Sequence, residues 1–361
     1  MAQVKIVGKK TLANTTQPMG NMNVLEAAKW RLKRIMQTHD NFVVSFSGGK
    51  DSLALLHLTR IVKEELGDKT PVNVVFRDEE LIPDHIVDFV DYYRCLPWVN
   101  MTWFTVPLKS QKYILGKTFD YIQWDPNREN YVREKPSWSI SDDSKIYDQY
   151  NMDARVAAEY KGKVCIMTGI RCSESIIRLK AVLNVINEAY VCASSAKGVR
   201  IGRPIYDWEE NDVFKFFYDE GIPYAEIYDR QSAQNQALRV STPLHAESAK
   251  SLDKWRTLDA EFYDRVLKVF PEMGVQDKYG KQFDKFSNEQ EDPKDWIDLR
   301  FWIANKFEGD QLKHAMARYR ECVSYQKNPK IAPKYSFEYC LKLFKGGVVK
   351  RAFLPDVKGK K

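Results

Sequence analysis

The sequence predicts an α/β protein in which a parallel sheet carries helices on both faces, followed by a mainly helical C-terminal appendage. Two observations predict this class. Short apolar runs alternate with amphipathic stretches through the first half of the chain, and spaced aromatic and charged residues replace that alternation from about Ser251 onward. The chain has 361 residues, 44% hydrophobic and 29% charged, which is ample material for a core.

The individual elements follow from their periodicity and their bounding residues. Apolar residues at helical spacing predict helices over residues 23–38, 52–66, 83–93 and 152–160. Short β-rich runs predict strands over residues 41–45, 71–76, 99–106 and 163–168. Residues 111–150 show neither pattern, and a structureless stretch of that length is unusual unless it has a function.

The stretch FVVSFSGGKDSLALLHL, residues 42–58, carries the first chemical signal. It is not a Walker A loop, because Val44 stands where the first glycine is needed and Asp51 follows Gly49-Lys50. The turn between strand and helix nevertheless suits an anion. Glycines let the backbone approach a ligand, and the amides at a helix N-terminus attract negative charge.

The SGGKDS segment of this turn resembles the SGGxDS loop of the PP-loop ATP pyrophosphatases. That resemblance implies a Rossmann-like fold of the adenine nucleotide alpha hydrolase type. It further implies an enzyme that holds the pyrophosphate of ATP, cleaves between the α and β phosphates, and adenylates an acceptor. ATP and Mg²⁺ are therefore the expected cofactors.

Three further segments resemble one branch of that superfamily, the phosphoadenosine phosphosulfate (PAPS) reductase-like proteins, including phage, prophage and DNA-modification members. They are VVFRDEELIPDHI (74–86), TGIRCSESIIR (168–178) and the RPIYDWEENDVFKFFYDEGIPYAEIYD stretch (203–229). The resemblance covers roughly residues 24–230. It implies a loose arm at 1–22, a nucleotide-binding domain at 23–235 with an insertion at 111–150, and a basic helical region at 236–361.

The resemblance also implies a set of site residues. Asp51 is one candidate Mg²⁺ ligand. The acids that follow the second predicted strand have a competing interpretation, as solvated surface residues. The implied catalytic residues are Lys50, Asp51, Arg171 and Arg178. The implied nucleotide-binding residues are Ser45, Ser47, Gly48, Gly49, Ser52, Asp78, Glu79, Gly169, Ile170 and Arg203.

The resemblance stops at the reductases' C-terminal cysteine, which stands in an ECGLH-like segment. The equivalent residues 237–250 read ALRVSTPLHAESAK and contain His245 but no cysteine. Sulfonate reduction needs a thiolate nucleophile. The six cysteines form no CxxC pair, so neither an iron–sulfur cluster nor zinc is expected.

Charge is unevenly distributed along the chain. Residues 313–361 carry 13 lysines and arginines against 3 acids, whereas the net charge of the rest of the chain is close to −3. A basic region suits nucleic acid, although a solvated terminus is the plainer interpretation. The resemblance adds a ParB-like or sulfur-transfer protein as a candidate partner. Without a signal or membrane pattern we expect a cytoplasmic location; the oligomeric state is left open.

Three functions are therefore carried forward. The first is an ATP pyrophosphatase that adenylates an acceptor in nucleic-acid modification or sulfur transfer. The second is a reductase or sulfotransferase-type enzyme acting on adenylyl-sulfate nucleotides. The third is a non-catalytic, nucleotide-dependent DNA-binding regulator.

Overall fold

The structure, a computed structural model, describes residues 22–174, 190–233, 242–289, 292–347 and 349–356. These residues form two compact units, 22–284 and 285–356. The first unit therefore continues well beyond residue 235, where the sequence analysis ends the nucleotide-binding domain. Among the described residues, no helix has both the length and the apolar composition needed to cross a bilayer.

The first unit contains all strands of the described chain. They are β1 (Asn41–Ser45), β2 (Val72–Arg77), β3 (Val99–Phe104), β4 (Leu108–Ile114), β5 (Lys117–Gln123), β6 (Val164–Thr168), β7 (Val191–Ala193) and β8 (Val199–Gly202). Its helices are α1 (Val24–Thr38), α2 (Lys50–Glu65), α3 (Asp84–Arg94), α4 (Asn151–Ala157), α5 (Glu210–Glu220), α6 (Ile227–Ala233), α7 (Ala246–Ala249), α8 (Trp255–Leu258), α9 (Ala260–Val269) and α10 (Met273–Glu289), the last of which runs past residue 284.

Six of these strands form one sheet in the order β3-β2-β1-β6-β8-β7. All neighbours are parallel except β7, which runs antiparallel to β8. The chain builds outward from β1 to β3 and then returns to the other side of β1 for β6. The carboxyl ends of β1 and β6 therefore flank the point where the strand order reverses, which is where ligands bind in open parallel sheets.

The two faces of the sheet are covered by different helices, as the sequence predicts. Val44, Val74 and Met167 lie in one apolar cluster with buried residues of α1, α2 and α3. Val43 and Ile166, one position along in the strands, lie in a second cluster with α4. Side chains alternate between faces along a strand, so a single register buries both sets.

The segment 111–150 has more structure than the sequence analysis anticipates. It begins within an antiparallel hairpin, in which β4 pairs with β5 along its whole length. Beyond the hairpin, isolated bridges join Phe104 to Ile140 and Leu108 to Tyr147. Apolar and polar residues alternate only weakly along the hairpin, because β4 contains no fully buried side chain and the buried residues of β5 lie only near its end.

The second unit is helical over its described residues. It contains α11 (Trp296–Lys306), α12 (Gly309–Gln326) and α13 (Phe337–Lys345). Leu299, Ile303, Cys322, Cys340 and Phe344 form its buried core. Most of its lysines and arginines after residue 326 are exposed.

Candidate nucleotide-binding site

The glycine turn joins the central strand β1 to helix α2. Gly48 has a φ of +75°, and a Cβ atom there would lie 2.8 Å from Cγ2 of Ile86 and 3.0 Å from Cγ2 of Val90. Both the backbone conformation and the contact with α3 therefore require glycine. The turn leads into the N-terminus of α2, where backbone amides face away from the sheet.

Hydroxyl groups cross-link this turn. The amide of Ser47 donates to Oγ of Ser52 at 3.1 Å, and the two serine Oγ atoms are also 3.1 Å apart. Oγ of Ser52 donates to the carbonyl of Gly49, whose own amide donates weakly to Oγ of Ser47. The two serines therefore hold the shape of the turn, and their oxygens occupy amide groups that an anion would otherwise contact.

Tyr228 of α6 completes the turn and was missed by the sequence analysis. The backbone amide of Lys50, the first residue of α2, donates to the Tyr228 hydroxyl at 2.8 Å. Burial raises the pKa of this phenol, so it stays protonated. The only signal in the sequence is that Tyr228 lies in the IYD end of the 203–229 segment. Most of that segment was interpreted as structural.

Lys50 is buried, with only 4% of its surface exposed, and its ammonium group faces two acids. Nζ lies 3.4 Å from Oδ2 of Asp51 and 3.8 Å from Oε2 of Glu210, and 5.5 Å from the centre of the Tyr228 ring. A lysine held this way presents a fixed positive charge beside the glycine turn.

The TGIR segment packs directly on this turn. A Cβ atom on Gly169 would lie 2.6 to 2.7 Å from the backbone of Asp51 and Ser52, so only glycine fits. Two residues later, Nε of Arg171 donates to Oδ1 of Asp51 at 2.7 Å, and NH1 donates to Oγ of Ser173 at 3.2 Å. The structure thus brings the expected residues of β6 and of the glycine turn into contact.

Other site residues of the same edge are placed by the sheet. Ser45 is the last residue of β1 and lies opposite Thr168 of β6, while Ile170, partly exposed, follows Gly169. Arg203 follows β8 at the same edge, and its Nε is buried without a hydrogen-bond partner among the described residues. Arg178 lies outside the described residues.

The acidic turn after β2 contains two buried acids and one that is partly exposed. Asp78 is buried and accepts hydrogen bonds from Nε1 of Trp103 and from Arg133. Burial raises its pKa, against the opposing charge of Arg133. Glu79 is partly exposed, and dehydration of its carboxyl raises its pKa.

Glu80, which the sequence analysis did not select, anchors the segment after the hairpin. It is fully buried with a φ of +62°, and its carboxylate accepts from the amides of Trp124 and Val132 and from Arg128. Asp78 and Glu80 therefore hold the segment 124–133 against the carboxyl end of β2. They are structural acids of the insertion rather than solvated surface residues.

The carboxylate of Asp51, the candidate Mg²⁺ ligand, lies between two cationic side chains. Its Oδ1 faces Arg171 and its Oδ2 faces Lys50, so both oxygens already have cationic neighbours. Across the described residues, no three His, Cys, Asp or Glu side chains form a group suited to a metal ion. In this arrangement Asp51 orients the side chains of Arg171 and Lys50.

Comparison with known proteins assigns the chain to a family. Residues 41–274, well over half of the chain, match the phosphoadenosine phosphosulfate reductase domain. The chain belongs to this family. The match includes the glycine turn, the acidic turn, the TGIR segment and the helices up to the start of α10.

Two curated relatives are similar to the chain. It is 25% identical over 267 residues to the uncharacterized protein YbdN of Escherichia coli K12, which covers 66% of this chain and 65% of that protein. It is 23% identical over 231 residues to an adenosine 5′-phosphosulfate reductase of Staphylococcus epidermidis, covering 62% and 80% respectively. The matched part thus spans less than two thirds of the E. coli protein.

Two fungal proteins are among the solved structures to which the chain is similar. The phosphoadenylyl-sulfate reductase of Candida auris is 14% identical with a TM-score of 0.35, covering 60% of this chain and 90% of that one. An FMN adenylyltransferase of Candida glabrata is 13% identical with a TM-score of 0.40, covering 57% and 59%.

Proposed function

We propose that the protein is an ATP pyrophosphatase that transfers AMP to an acceptor and releases pyrophosphate. The observation that carries this proposal is the contact of Arg171 with Asp51, which holds a guanidinium beside the glycine turn at the switch point of the sheet. Lys50 lies on the other oxygen of the same carboxylate. Two fixed cations and a helix N-terminus at one place suit a polyphosphate.

The reaction needs no nucleophilic side chain. An acceptor oxygen attacks the α phosphorus of ATP, the bond from that phosphorus to the bridging oxygen breaks, and pyrophosphate leaves with the bond electrons. The acceptor's proton passes to solvent. Lys50 and the amides of the turn would stabilise charge that develops on the departing pyrophosphate, so catalysis is mostly positioning and electrostatics.

Phosphate oxygens that enter the turn would compete with the hydroxyls of Ser47, Ser52 and Tyr228 for the backbone amides. Each now accepts a hydrogen bond from an amide of the turn. A phosphate oxygen can take the same donors, and the freed hydroxyls can donate to other phosphate oxygens. The closed turn thus keeps its amides satisfied without ligand and exchanges partners on binding.

Mg²⁺ would have to be coordinated mainly by the phosphates of ATP. Mg²⁺ usually binds through one or two carboxylates together with substrate phosphates and water. Asp51, the carboxylate nearest the turn, is occupied by Arg171 and Lys50, so no step of the reaction is assigned to a metal here.

The chief alternative is reduction of an adenylyl-sulfate nucleotide, which the relative from S. epidermidis favours. Aligning Leu244 and His245 with the Leu-His of the reductase segment puts Thr242 where the nucleophilic cysteine stands. A threonine hydroxyl cannot take part in the thiol–disulfide chemistry of such a reaction. Thioredoxin-dependent release of sulfite from adenylyl-sulfate would favour the reductase over our proposal.

A further proposal concerns the acceptor. The second unit exposes Lys327, Lys330 and Lys334 in one segment, followed by Lys350 and Arg351. Such a surface suits the phosphates of a nucleic acid. We therefore favour a nucleic-acid acceptor over a ParB-like or sulfur-transfer protein.

The experiment is to incubate the protein with Mg²⁺, ATP labelled at the α phosphate, and DNA or tRNA. Our proposal predicts pyrophosphate and transient label on the nucleic acid, followed by labelled AMP when water or another nucleophile displaces it from the acceptor. A non-catalytic regulator would bind ATP and DNA without turnover, and its DNA binding would survive Lys50→Ala. Absence of AMP and pyrophosphate with every acceptor would count against an ATP pyrophosphatase.

A further inference from the structure

A cavity of about 350 Å³ lies in the first unit, lined by the N-terminal part of α3 and by the segment that leads into α6. Its apolar lining consists of Phe89 of α3 and of Tyr224, Ala225 and Ile227 of the other segment. A mainly apolar cavity of this size with a few polar groups is typical of a small-molecule site. Among the described residues, none of those assigned to the nucleotide site lines it, so the cavity is a separate place in the fold.

His85 of α3 is the polar residue that decides the chemistry of this cavity. It belongs to the lining, and its Nε2 is buried without a hydrogen-bond partner among the described residues. A buried polar atom that lacks a partner is destabilising, so its presence needs an explanation. The side chain of His85 keeps 34% of its surface exposed, which leaves the ring accessible to a molecule in the cavity.

Asp259 determines which nitrogen of His85 can accept a hydrogen bond. Oδ1 of Asp259 caps α9 by accepting from the amide of Phe262 at 2.9 Å, and this places Oδ2 at 3.5 Å from Nδ1 of His85. Burial lowers the pKa of His85, so the ring is neutral near pH 7. Because a carboxylate only accepts hydrogen bonds, the single ring proton lies on Nδ1 and Nε2 keeps its lone pair. Nε2 is therefore an acceptor for an O–H or N–H group.

The remaining lining residues favour a ligand that is uncharged and aromatic. Arg230 and Glu226, both largely exposed, carry opposite charges, and NH2 of Arg230 lies 3.6 Å from Oε2 of Glu226. Phe89 and Tyr224 add aromatic surface, against which another ring packs favourably. We propose that this cavity binds a small neutral aromatic molecule that donates an O–H or N–H group to Nε2 of His85.

The cavity adjoins the glycine turn through both of its walls. Ile86, next to His85 in the chain, is the residue that a Cβ atom on Gly48 would overlap. Tyr228, which follows Ile227, accepts from the amide of Lys50. A molecule in the cavity would therefore contact the chain neighbours of the residues that shape the turn. The site goes beyond the function proposed above and does not depend on it.

The test is titration of the protein with phenol and with toluene, which has the same shape but no hydrogen-bond donor. Toluene is the more hydrophobic molecule, so it would bind the better of the two in a cavity that offers no hydrogen bond. The wild-type protein should instead bind phenol about fivefold more tightly than toluene. Phenol should also shift the NMR signal of one of the 5 histidine rings, the one that is lost in His85→Phe.

The decisive variant is His85→Phe, which keeps a ring of similar size and removes the acceptor. It should bind toluene more tightly than phenol, the reverse of the wild-type order. His314→Phe in α12 of the second unit is the matched control and should keep the wild-type order. Ala225→Leu adds apolar volume to the cavity wall and should abolish binding of both molecules, so the inference can be tested even if His85→Phe does not fold.

Several results would overturn the inference. They are the lack of saturable phenol binding to the wild-type protein, tighter binding of toluene than of phenol, and an unchanged preference for phenol in His85→Phe. If phenol does not bind and His85→Phe lowers the thermal stability, Nε2 is satisfied by a structural water instead. Neither molecule is a nucleotide, so the outcome is independent of whether the protein turns over ATP.

Discussion

The Nε atom of Arg171 donates to Oδ1 of Asp51 at 2.7 Å, across 120 residues of sequence. This hydrogen bond ties the carboxyl end of β6 to the first turn of α2, with Gly169 closing the gap between them. Arg171 is 3% exposed and Asp51 is only partly exposed, so the pair is shielded from water and from salt. The position of the glycine turn therefore depends on a strand that follows it by more than a hundred residues.

The pair should behave as one unit in a double-mutant cycle of Asp51→Asn and Arg171→Gln. Each single change leaves a charge without its partner, so each should weaken ATP binding strongly, whereas the double variant should lose little more than either single variant. We expect a coupling energy of about 1–3 kcal/mol, measured by calorimetric titration with ATP. Additive effects would show that Arg171 and Asp51 act independently.

Gly169→Ala should disturb the turn through packing alone. The new Cβ would overlap the backbone of Asp51 and Ser52, and relieving such a contact costs about 1–3 kcal/mol. Urea unfolding should show the loss, and ATP binding should weaken because the turn moves. Gly274→Ala is the control, since a Cβ at that position meets open space: ATP binding should be unchanged, and stability should not fall because alanine favours the helix α10. Wild-type stability and binding in Gly169→Ala would contradict the close approach.

Glu80→Ala should release the segment that follows the hairpin. The change leaves Arg128 and the amides of Trp124 and Val132 without their acceptor, at a cost of about 3–5 kcal/mol for a broken buried pair. Limited proteolysis should then cut between residues 124 and 133. Glu134→Ala, at an exposed acid nearby, is the control. Equal protease resistance of both variants would argue against the anchoring role of Glu80.

His57 should make stability depend on pH. Burial, with a smaller contribution from the charge of Arg60, lowers the pKa of His57 from 6.5 to about 4. The unfolded chain therefore binds a proton more readily, so the free energy of unfolding should be unaffected above pH 6.5 and fall as the pH drops from 6.5 towards 4. The loss should reach about 3 kcal/mol.

The measurement is urea unfolding of the wild-type protein and of His57→Gln across that pH range. The variant should lose less stability between pH 6.5 and 4, although its stability at pH 7 is lower because the ring packs on Tyr93 and Trp98. A wild-type slope in His57→Gln would assign the acid sensitivity to other groups.

The sequence predicted the central sheet well because its signals are local. The strand at 41–45 is found with the same bounds, and the helices predicted over 23–38, 52–66, 83–93 and 152–160 begin and end within three residues of their expected bounds. Strands β7 and β8 of the sheet were not predicted. Arg171 was placed in the site by the family resemblance, whereas its hydrogen bond to Asp51 was not predicted.

The other features of the site depend on contacts between residues that are far apart in sequence, and no local pattern predicts them. Tyr228 reaches the turn from α6, and its role follows from a hydrogen bond to an amide 178 residues away. Glu80 looked like one of three equivalent acids, yet its burial is decided by the amides of the segment 124–132.

The most direct test of the central claim is identification of the phosphorus–oxygen bond that the protein cleaves, by ³¹P NMR of ATP incubated with the protein, Mg²⁺ and nucleic acid. The account predicts AMP and pyrophosphate from the wild-type protein, and a rate lower by about 10²–10³ for Lys50→Ala with an unchanged far-UV circular dichroism spectrum. Formation of ADP and phosphate, or an undiminished rate in Lys50→Ala, would contradict it.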